Sequence, residues 1–568
     1  VVFAPLAFLS GVTGQFFRAL SLSLATAVLI SMPVALLVLP ALASRFLRPV
    51  RRGTPGKALA ARYGQLQLAA FPRRRWLLGG AAAMVVLGGV LALRLPSDFL
   101  PEADEGAYVI DFFAPVAASL PEADRLVGAI EDLLRKTPEV EAFNRRLGTE
   151  LGPPVATLPS RGDVAVRLRT PRDRSVDEIM DDQRRALAGT VPGLRVEFIQ
   201  VLADMLGDLQ GSPEPIEVEL LGADPAALRT VAREAAKRLA DVPGFVDFFD
   251  GDEGCAPELR YEVNPLALAR AGVTTSDVAS QIAASQLGVV ATQVRRAERL
   301  EDVRVRLETS DPVATEASAF VSTARVLGQS GVPLPLTALA SAAEACPPAT
   351  LLRENGRSLV HLTARLSGTS LGQAAAEVRR RLKNLSMPMG TTWELAGLVR
   401  QQSESFRSLL LVLGVAVLLV AGVLLFQLRS VRAALSVLVA APVAAAGAIF
   451  TLAITGVSLN VSSAMGIILL VGLVVKNGIL LLDQALVLES RGVDPVVALR
   501  DAGRTRLRPI LMTTLATLVA LLPLVFGIGA GAALHRPLAI AVVGGLAFST
   551  LGTLLLIPLL AAPRSASR

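Results

Sequence analysis

The chain has 568 residues, of which 52% are hydrophobic, and a mean hydropathy of +0.53. That composition excludes an ordinary soluble protein and favours several membrane spans, while a charged fraction of 18% excludes a chain made only of spans. The formal charge of +7 favours a nucleic-acid binder only weakly, and two cysteines and two histidines exclude a Cys/His cluster, so no metal site is predicted.

Apolar runs predict a polytopic α-helical membrane protein. A helix needs about 20 apolar residues to cross the hydrocarbon core. The runs lie near 19–43, 76–95, 408–428, 431–455, 461–483, 508–528 and 537–562, and residues 1–12 resemble the end of another span. Because Val1 stands inside an apolar run with no charged leader, we expect no signal peptide and a beginning inside a longer protein.

The connection at 48–75 and its flank are strongly basic and set the topology. Its basic residues, uninterrupted by any acidic residue, are Arg45, Arg48, Arg51, Arg52, Lys57, Arg62, Arg73, Arg74 and Arg75. Short basic loops stay in the cytoplasm, so this loop is predicted to be cytoplasmic and residues 96–405 to lie outside. The later loops agree, since arginines at 429–432 and 500–508 fall inside. The basic surplus follows topology, and no nucleic-acid partner is predicted.

A parallel internal repeat is predicted from identical residues in one register. The shift that carries Val1 onto Val519 also pairs Pro5, Leu6, Phe8, Gly11, Arg18 and Leu20 with Pro523, Leu524, Phe526, Gly529, Arg536 and Leu538. Matching Pro, Gly and Arg positions favour a repeat over a chance likeness of apolar segments. Residues 1–47 are therefore predicted to end a first transmembrane repeat, and the span at 76–95 to open a second one, parallel to the first.

Residues 96–205 are predicted to form a first external subdomain. Its strands are expected at 107–114, 138–146, 163–169 and 194–200, and its helices at 119–136 and 175–189. This βαββαβ order is the ferredoxin-like split βαβ pattern, so the external block is predicted to be α+β.

A second unit of the same type is predicted in two pieces, 206–255 and 348–405. Asp224 suits an N-cap and Pro225 the first helical position, while Asn355–Gly356 predicts a hairpin turn. Residues 256–347 are then an inserted subdomain. Five transmembrane helices follow in 406–563, and 564–568 form a cytoplasmic tail.

Cys255 and Cys346 stand at the two ends of the insertion. An inserted segment leaves and re-enters its host at neighbouring points, and the outer side is oxidising, so a disulfide between them is predicted. Two separate buried thiols are the alternative.

Lys476 is the most unusual residue of the membrane segments, since it lies inside the run 461–483 and is followed by Asn477. A lysine near a span end can snorkel to the surface. Two polar residues at one level favour instead a charge that faces the bundle interior and has a partner. The spans of this chain contain no carboxylate, so the counter-ion is expected from elsewhere.

The next span begins with RTRLRPILMTTLAT. Thr513 and Thr514 can form hydrogen bonds between helices, although threonine in a span often serves only close packing. Arg506 and Arg508 can simply mark the cytoplasmic border.

Three motifs make a family resemblance specific: GIILLVGLVVKNGILLLD at 466–483, RLRPILMTT at 506–514 and LPSDFLPEADEG at 95–106. They resemble the resistance–nodulation–division superfamily of efflux permeases, closest to its drug and hydrophobe branch, and the likeness covers the whole chain as a C-terminal half. The resemblance implies a proton/substrate antiporter, not an enzyme, that exports drugs or other amphiphilic compounds.

The same resemblance implies a proton relay with Lys476 as the relay lysine, Thr513 as its hydrogen-bonding neighbour and Arg506 as the cytoplasmic-side arginine. Asn477 would adjoin the relay, and the acidic partners would lie on a span of the first half. It further implies a homotrimer in the bacterial inner membrane with a periplasmic adaptor and an outer-membrane channel. The proton gradient drives such pumps, so no cofactor is expected. The βαββαβ units would be porter subdomains, and the insertion would dock toward the channel.

The cargo stays open. The segment VEAFNRRLGTELG offers a drug pocket only Phe143, and Met205 in ADMLGDL resembles one methionine of a metal-pumping cluster without evident companions. Heavy-metal efflux is therefore an alternative, as is a lipid- or protein-export relative. A membrane-tethered enzyme is disfavoured, because the external block offers His361 and two cysteines but no nucleophile or cofactor motif.

Overall fold

The computed structural model describes residues 11–46, 57–101, 103–148, 160–210, 214–297, 299–306, 324–328, 331–529 and 531–563. Its helices are α1 (Gly11–Pro33), α2 (Leu39–Phe46), α3 (Lys57–Ala70), α4 (Arg74–Ala92), α5 (Leu120–Lys136), α6 (Val176–Leu187), α7 (Val201–Gln210), α8 (Pro225–Leu239), α9 (Pro265–Ala271), α10 (Thr275–Leu287), α11 (Leu371–Leu382), α12 (Leu398–Leu428), α13 (Val431–Leu438), α14 (Ala440–Thr455), α15 (Val461–Glu489), α16 (Pro495–Val525) and α17 (Ala532–Ala561). The predicted partial span at 1–12 and the tail at 564–568 fall almost wholly outside the described residues.

The strands belong to the segment between α4 and α12. They are β1 (Ala107–Phe113), β2 (Val140–Leu147), β3 (Arg161–Leu168), β4 (Arg195–Gln200), β5 (Ile216–Gly222), β6 (Phe245–Phe249), β7 (Glu258–Val263), β8 (Val289–Arg296), β9 (Arg299–Val305), β10 (Arg325–Leu327), β11 (Pro333–Pro335), β12 (Ala340–Ala345), β13 (Leu352–Glu354), β14 (Arg357–Leu366) and β15 (Thr392–Ala396).

Seven helical segments among the described residues are long and apolar enough to cross a membrane. They are Ser21–Phe46, α4, α12, Val431–Thr455, α15, α16 and α17. Each corresponds to one of the apolar runs in the sequence. The segment at 431–455 is interrupted at Val439, between α13 and α14.

The helix α16 begins much earlier than the sequence predicts. The apolar run predicted a span at 508–528, but α16 starts at Pro495, where the Asp494 carboxylate accepts hydrogen bonds from the N–H groups of Val496 and Val497. Proline at the first helical position needs no hydrogen bond, and aspartate is a favoured N-cap. Pro509 lies inside the helix, which shows that its missing N–H does not end the helix here.

The helix α17 occupies the centre of the membrane bundle and packs against α14, α15 and α16. Gly544 and Gly545 make this close packing feasible. A Cβ atom on Gly545 would collide with Leu470 Cδ1 and approach the Ala444 carbonyl oxygen to 2.8 Å. Small residues at such contacts let helix backbones approach closely where lipid offers no hydrophobic driving force.

The external block joins the bundle at the end where α14 turns into α15. The Leu459 N–H donates to the Pro96 carbonyl at 2.8 Å, and the Asp98 N–H donates to the Leu459 carbonyl at 3.1 Å. The turn at 490–494, between α15 and α16, therefore lies at the opposite end of the bundle.

The first sheet has the strand order β2-β3-β1-β4, and every neighbouring pair is antiparallel. The chain order is strand, helix, strand, strand, helix, strand, as predicted. Strand alternation buries Tyr108, Ile110 and Phe112 completely beneath α5 and α6. A capping box of Ser175 and Glu178 fixes the start of α6.

The second sheet has the order β13-β14-β5-β15, with β6 also paired to β14. Leu220, Leu228 and Val378 form a fully buried core between this sheet and the helices α8 and α11. The opposite faces of the two sheets, which α5, α6, α8 and α11 leave uncovered and which we call the open faces, lie against one another, as their cross-contacts below show.

The insertion folds on its own small core. The strands β7 and β12 pair at its base, and Leu268, Val278 and Leu336 lie in its interior. Cys255 and Cys346 at the neck are joined by a disulfide, with their Cα atoms 5.1 Å apart. The strands β8 and β9 form a hairpin in which every described residue is exposed.

Candidate functional site

Lys476 lies near the midpoint of α15, which is 29 residues long. The helix rise places it roughly 20 Å from each helix end. Its side chain is exposed in this chain and lines a groove of about 270 Å³ between α12 and α15. The other lining residues are Val420, Val423, Gly472, Val475, Ile479 and Leu480. Lys476 has no ion-pair partner among the residues that the structure describes.

Asn477 points the other way and is buried inside the bundle. The two polar residues of the KN motif therefore do not share one surface: the lysine faces the groove, and the asparagine faces the protein interior.

Thr513 does not contact Lys476 in this structure. Its hydroxyl donates to the Ile510 carbonyl within α16 at 3.0 Å. The contact between helices comes from the next residue, because the Thr514 and Thr550 hydroxyls lie 3.1 Å apart and join α16 to α17. The TT pair in the sequence indicated such a bond but not which threonine forms it.

Arg506 lies seven residues before Thr513 on α16, about 10 Å of helix rise away. It is half-buried, and its Nε atom has no hydrogen-bond partner among the described residues. The structure thus places the four predicted relay residues on α15 and α16 without joining them to one another.

A second site lies between the open faces of the two external sheets and was missed from the sequence. Arg365 of β14 reaches Glu197 of β4, with 3.4 Å between nitrogen and oxygen. Both side chains are almost completely buried, at 7% and 4% exposed. Asp111 lies opposite Glu197 on the neighbouring strand β1. Together with Glu214 just before β5, these residues form what we call the Arg365 cluster: Asp111, Glu197, Glu214 and Arg365.

Burial shapes the acid–base behaviour of the Arg365 cluster. Desolvation raises the pKa of Asp111 to about 7; Arg365 opposes this, and Asp204, Glu197 and Asp163 reinforce it. Desolvation likewise raises the pKa of the Glu214 carboxyl to about 7, again opposed by Arg365. The cluster therefore gains protons as the pH falls through neutrality.

Further contacts hold the two sheets together around this cluster. The Arg184 guanidinium forms two hydrogen bonds to the Asp247 carboxylate, at 2.7 and 2.9 Å. The Arg195 guanidinium lies over the rings of Phe113 and Phe249, 3.7 and 4.4 Å from their centroids, and so joins the two units by cation–π contacts. The cleft between the units is closed in this structure.

Phe143 does not lie in this cleft. It packs against the core on the helix-covered face of the first sheet, beneath the guanidinium of Arg135 at 5.7 Å. Strand alternation explains the position, because Phe143 pairs with the buried Val166. The structure therefore places Phe143 away from the cleft, and its role in a substrate pocket stays a prediction.

Met205 lies on α7 and is 57% exposed. Its neighbour Asp204 is close enough to Asp111 to raise the pKa of that carboxyl. The ADMLGDL segment therefore contributes a carboxylate to the cleft region.

A cavity of about 470 Å³ lies beside the neck of the insertion, where the disulfide and His361 form part of its wall. Burial lowers the pKa of His361. Among the described residues, no three His, Cys, Asp or Glu side chains stand in positions that would hold a metal ion. In the Arg365 cluster a guanidinium already lies among the carboxylates.

Comparisons with known proteins follow from these features. The sequence profile described as the AcrB/AcrD/AcrF family matches residues 1–562. The cobalt-zinc-cadmium resistance protein CzcA of Cupriavidus metallidurans is 27% identical over 99% of this chain and 54% of its own length. Protein HelA of Legionella pneumophila is 28% identical over 98% of this chain and 54% of its own length.

Two solved structures described as a heavy metal efflux pump, in crystal forms I and II, superpose with a TM-score of 0.86 at 27% identity. They cover 99% and 98% of this chain and 56% of their own chains. This chain therefore spans about half the length of the relatives that it matches.

Proposed function

Because the chain belongs to the AcrB/AcrD/AcrF family, we propose that it forms part of a proton-driven efflux transporter of the bacterial inner membrane, and not of an enzyme. In this proposal the helices α12 to α17 carry the Lys476 side of the proton relay. The two sheet units are ferredoxin-like porter subdomains in the periplasm, and they close over the cargo. Lys476, Asn477, Thr513 and Arg506 keep the relay roles that the motifs imply.

We propose that the cargo is a divalent metal cation. The drug and hydrophobe branch, which the motifs favoured, is not supported by CzcA or by the two solved structures, whose names refer to cobalt, zinc and cadmium and to heavy metals. The observation that carries this proposal is the Arg365 cluster, since it places buried carboxylates between the two open sheet faces. Carboxylate oxygens suit divalent cations, and a cation bound there would displace Arg365.

The test measures the growth of a sensitive bacterial host, with and without the full-length transporter, at rising concentrations of metals and drugs. We expect the transporter to raise tolerance to Co²⁺, Zn²⁺ or Cd²⁺ but not to hydrophobic drugs. Asp111→Asn should weaken cation export about tenfold, because one anionic ligand is lost. Asp124→Asn is the control, since it makes the same change on an exposed helix face where Asp124 pairs with Arg145. Drug tolerance without metal tolerance would instead show that the cargo is a drug or another hydrophobic compound.

The pH dependence of cation binding provides a second prediction. Protons compete with the cation for Asp111 and Glu214, whose pKa values are raised to about 7. Cation affinity should therefore be high above pH 8 and fall about tenfold for each of these carboxyls between pH 8 and pH 6. Isothermal titration calorimetry of the purified full-length protein with Zn²⁺ in weakly coordinating buffers measures this affinity at each pH. In Asp111→Asn the Zn²⁺ affinity should depend less steeply on pH. An unchanged pH dependence would show that Asp111 does not bind the cation.

The partners are also part of this proposal. We expect a homotrimer that works with a periplasmic adaptor and an outer-membrane channel, with the insertion directed toward the channel. The exposed hairpin of β8 and β9 supports the last point, because an isolated two-stranded hairpin is at best marginally stable in water. A partner surface would cover its exposed Val289, Val294 and Leu300.

A further inference from the structure

The cavity at the neck of the insertion has no part in the proposed transport, and we call it the neck cavity. Its volume of about 470 Å³ falls within the range of small-molecule sites, roughly 300–1,000 Å³. Its walls are the first half of α8, the loop 250–254, the segment 346–353 and the first half of β14. The neck disulfide and a backbone hydrogen bond of 3.1 Å beside it fix two of these walls to one another.

The neck cavity has an apolar floor. Leu228 and Ala232 of α8 and Phe249 at the end of β6 are buried and line it. Leu351 and Leu352 line the same cavity and are 65% and 37% exposed, so its apolar surface continues to the rim. An exposed apolar surface that is rimmed by polar residues is typical of a binding site. The floor therefore suits the apolar part of a ligand.

Three exposed arginines line the neck cavity without acidic partners. Arg229 and Arg233 lie one turn apart on α8, and Arg353 lies on β13. The Arg229 Nε donates to the Pro225 carbonyl of its own helix at 3.3 Å. Within the described part of the chain, the side chains of Arg233 and Arg353 form neither an ion pair nor a hydrogen bond. Their guanidinium groups are free to bind a ligand.

The acidic side chains of the same wall are already engaged. The Glu253 carboxylate lies 2.5 Å from the Arg161 guanidinium of the first unit and accepts a hydrogen bond from the Thr350 hydroxyl. The carboxylates of Asp250 and Asp252 each accept a hydrogen bond from the backbone N–H two residues further on, at 3.0 and 2.9 Å, and so stabilise the turns of the loop. The groups left for recognition are thus the guanidiniums, whose planar donors match carboxylate and phosphate oxygens.

We propose that the neck cavity binds an organic anion with an apolar body, of the class of alkyl carboxylates and alkyl phosphates. The anionic group contacts Arg229, Arg233 and Arg353, and the alkyl chain covers the floor around Leu228. The proposal stands apart from the proposed transport, because no residue that lines the neck cavity belongs to the predicted relay or to the Arg365 cluster.

Photoaffinity labelling of the full-length protein in lipid nanodiscs tests the site directly. The probe is decanoate that carries a diazirine, and mass spectrometry of the peptides locates the cross-links. We expect cross-links in 225–233 or 346–353 that an excess of unlabelled decanoate suppresses. Cross-links confined to the apolar membrane helices would overturn the proposal.

Competition by two further compounds separates the charge of the ligand from its apolar body. Decyltrimethylammonium has a similar chain with the opposite charge, and inorganic phosphate has the charge without the chain. Neither should suppress the cross-links at the concentration where decanoate does. Equal suppression by decyltrimethylammonium would overturn the role of the arginines, and equal suppression by phosphate would show a site for free anions instead.

The double variant Arg233→Met with Arg353→Met should label at least about tenfold less, because charge-assisted hydrogen bonds contribute about 1.5–3 kcal/mol each. Lys237→Met is the matched control, since it removes a positive charge one turn beyond Arg233 on α8 but outside the cavity wall. The intact Cys255–Cys346 disulfide in the same peptide map, prepared without reductant, shows that the neck has folded. Equal labelling of the double variant and Lys237→Met would overturn the anion site.

Discussion

Replacing Lys476 with alanine in the full-length transporter is expected to abolish proton-driven export, leaving cation tolerance at the level of cells without the transporter. An ammonium group at the centre of a membrane helix costs about 2.5–3.5 kcal/mol, so it persists only with a partner or a function. Lys476 lies near the midpoint of α15 and faces a groove whose other lining residues are all apolar. Removing its charge removes the group on which protonation of acidic partners would act.

The matched control for Lys476→Ala is Leu480→Ala. Leu480 lines the same groove one turn along α15, so its truncation removes similar volume without removing charge. Leu480→Ala should retain most export, and Lys476→Arg should retain some because the positive charge remains. Export is measured as Zn²⁺ release from loaded vesicles under an imposed pH gradient. Full activity of Lys476→Ala would exclude the relay role.

Sequence periodicity was sufficient for most of the external fold. The strand at 107–114 and the helix at 119–136 were placed within about one residue of β1 and α5, because alternating and helical apolar patterns are strong there. The Asn355–Gly356 hairpin and the neck of the insertion also follow from local turn chemistry and from a simple rule about insertions. The disulfide between Cys255 and Cys346 could therefore be predicted from the sequence alone.

Helix ends in the bundle were harder to predict, for two reasons. The helix α12 begins at Leu398, ten residues before the apolar run at 408–428, because its first turns pack against β5 and β15 rather than lipid. The helix α15 continues past Asp483 to Glu489. Hydropathy reports contact with hydrocarbon, not helix length, so polar helical extensions go unseen.

The Arg365 cluster was missed because its residues are distant in sequence and ordinary in composition. Strand alternation does place Asp111 and Glu197 opposite the buried side chains of their strands, which would normally indicate a solvent face. Only the packing of one open sheet face against the other buries them. No local pattern at Asp111, Glu197 or Arg365 reports that contact.

Replacing Arg365 with methionine should destabilise the closed external block by about 1–3 kcal/mol at pH 8, because Asp111 and Glu214 lose the cation that opposes their desolvation, while Glu197 keeps its ion pair with Arg195. The loss should shrink below pH 7, since Asp111 and Glu214, with pKa values raised to about 7, become neutral there and no longer add repulsion. The free energy of unfolding is measured by urea titration of the 568-residue chain, monitored through the fluorescence of Trp393 on β15 in a Trp76→Phe background.

The double variant Arg365→Met with Glu197→Gln tests whether the buried Arg365–Glu197 pair serves stability alone or also cation binding. Breaking one partner strands a charge, whereas replacing both with neutral groups is often nearly neutral for stability. The double variant should therefore recover part of the stability lost in Arg365→Met, although it also leaves Arg195 without its ion pair. Its affinity for divalent cations should remain low, because the Glu197 carboxylate is gone. Recovery of both stability and cation affinity would make the pair a structural element only. Recovered stability with lost affinity would show that Glu197, the partner of Arg365 in the closed cleft, is a ligand of the cargo cation.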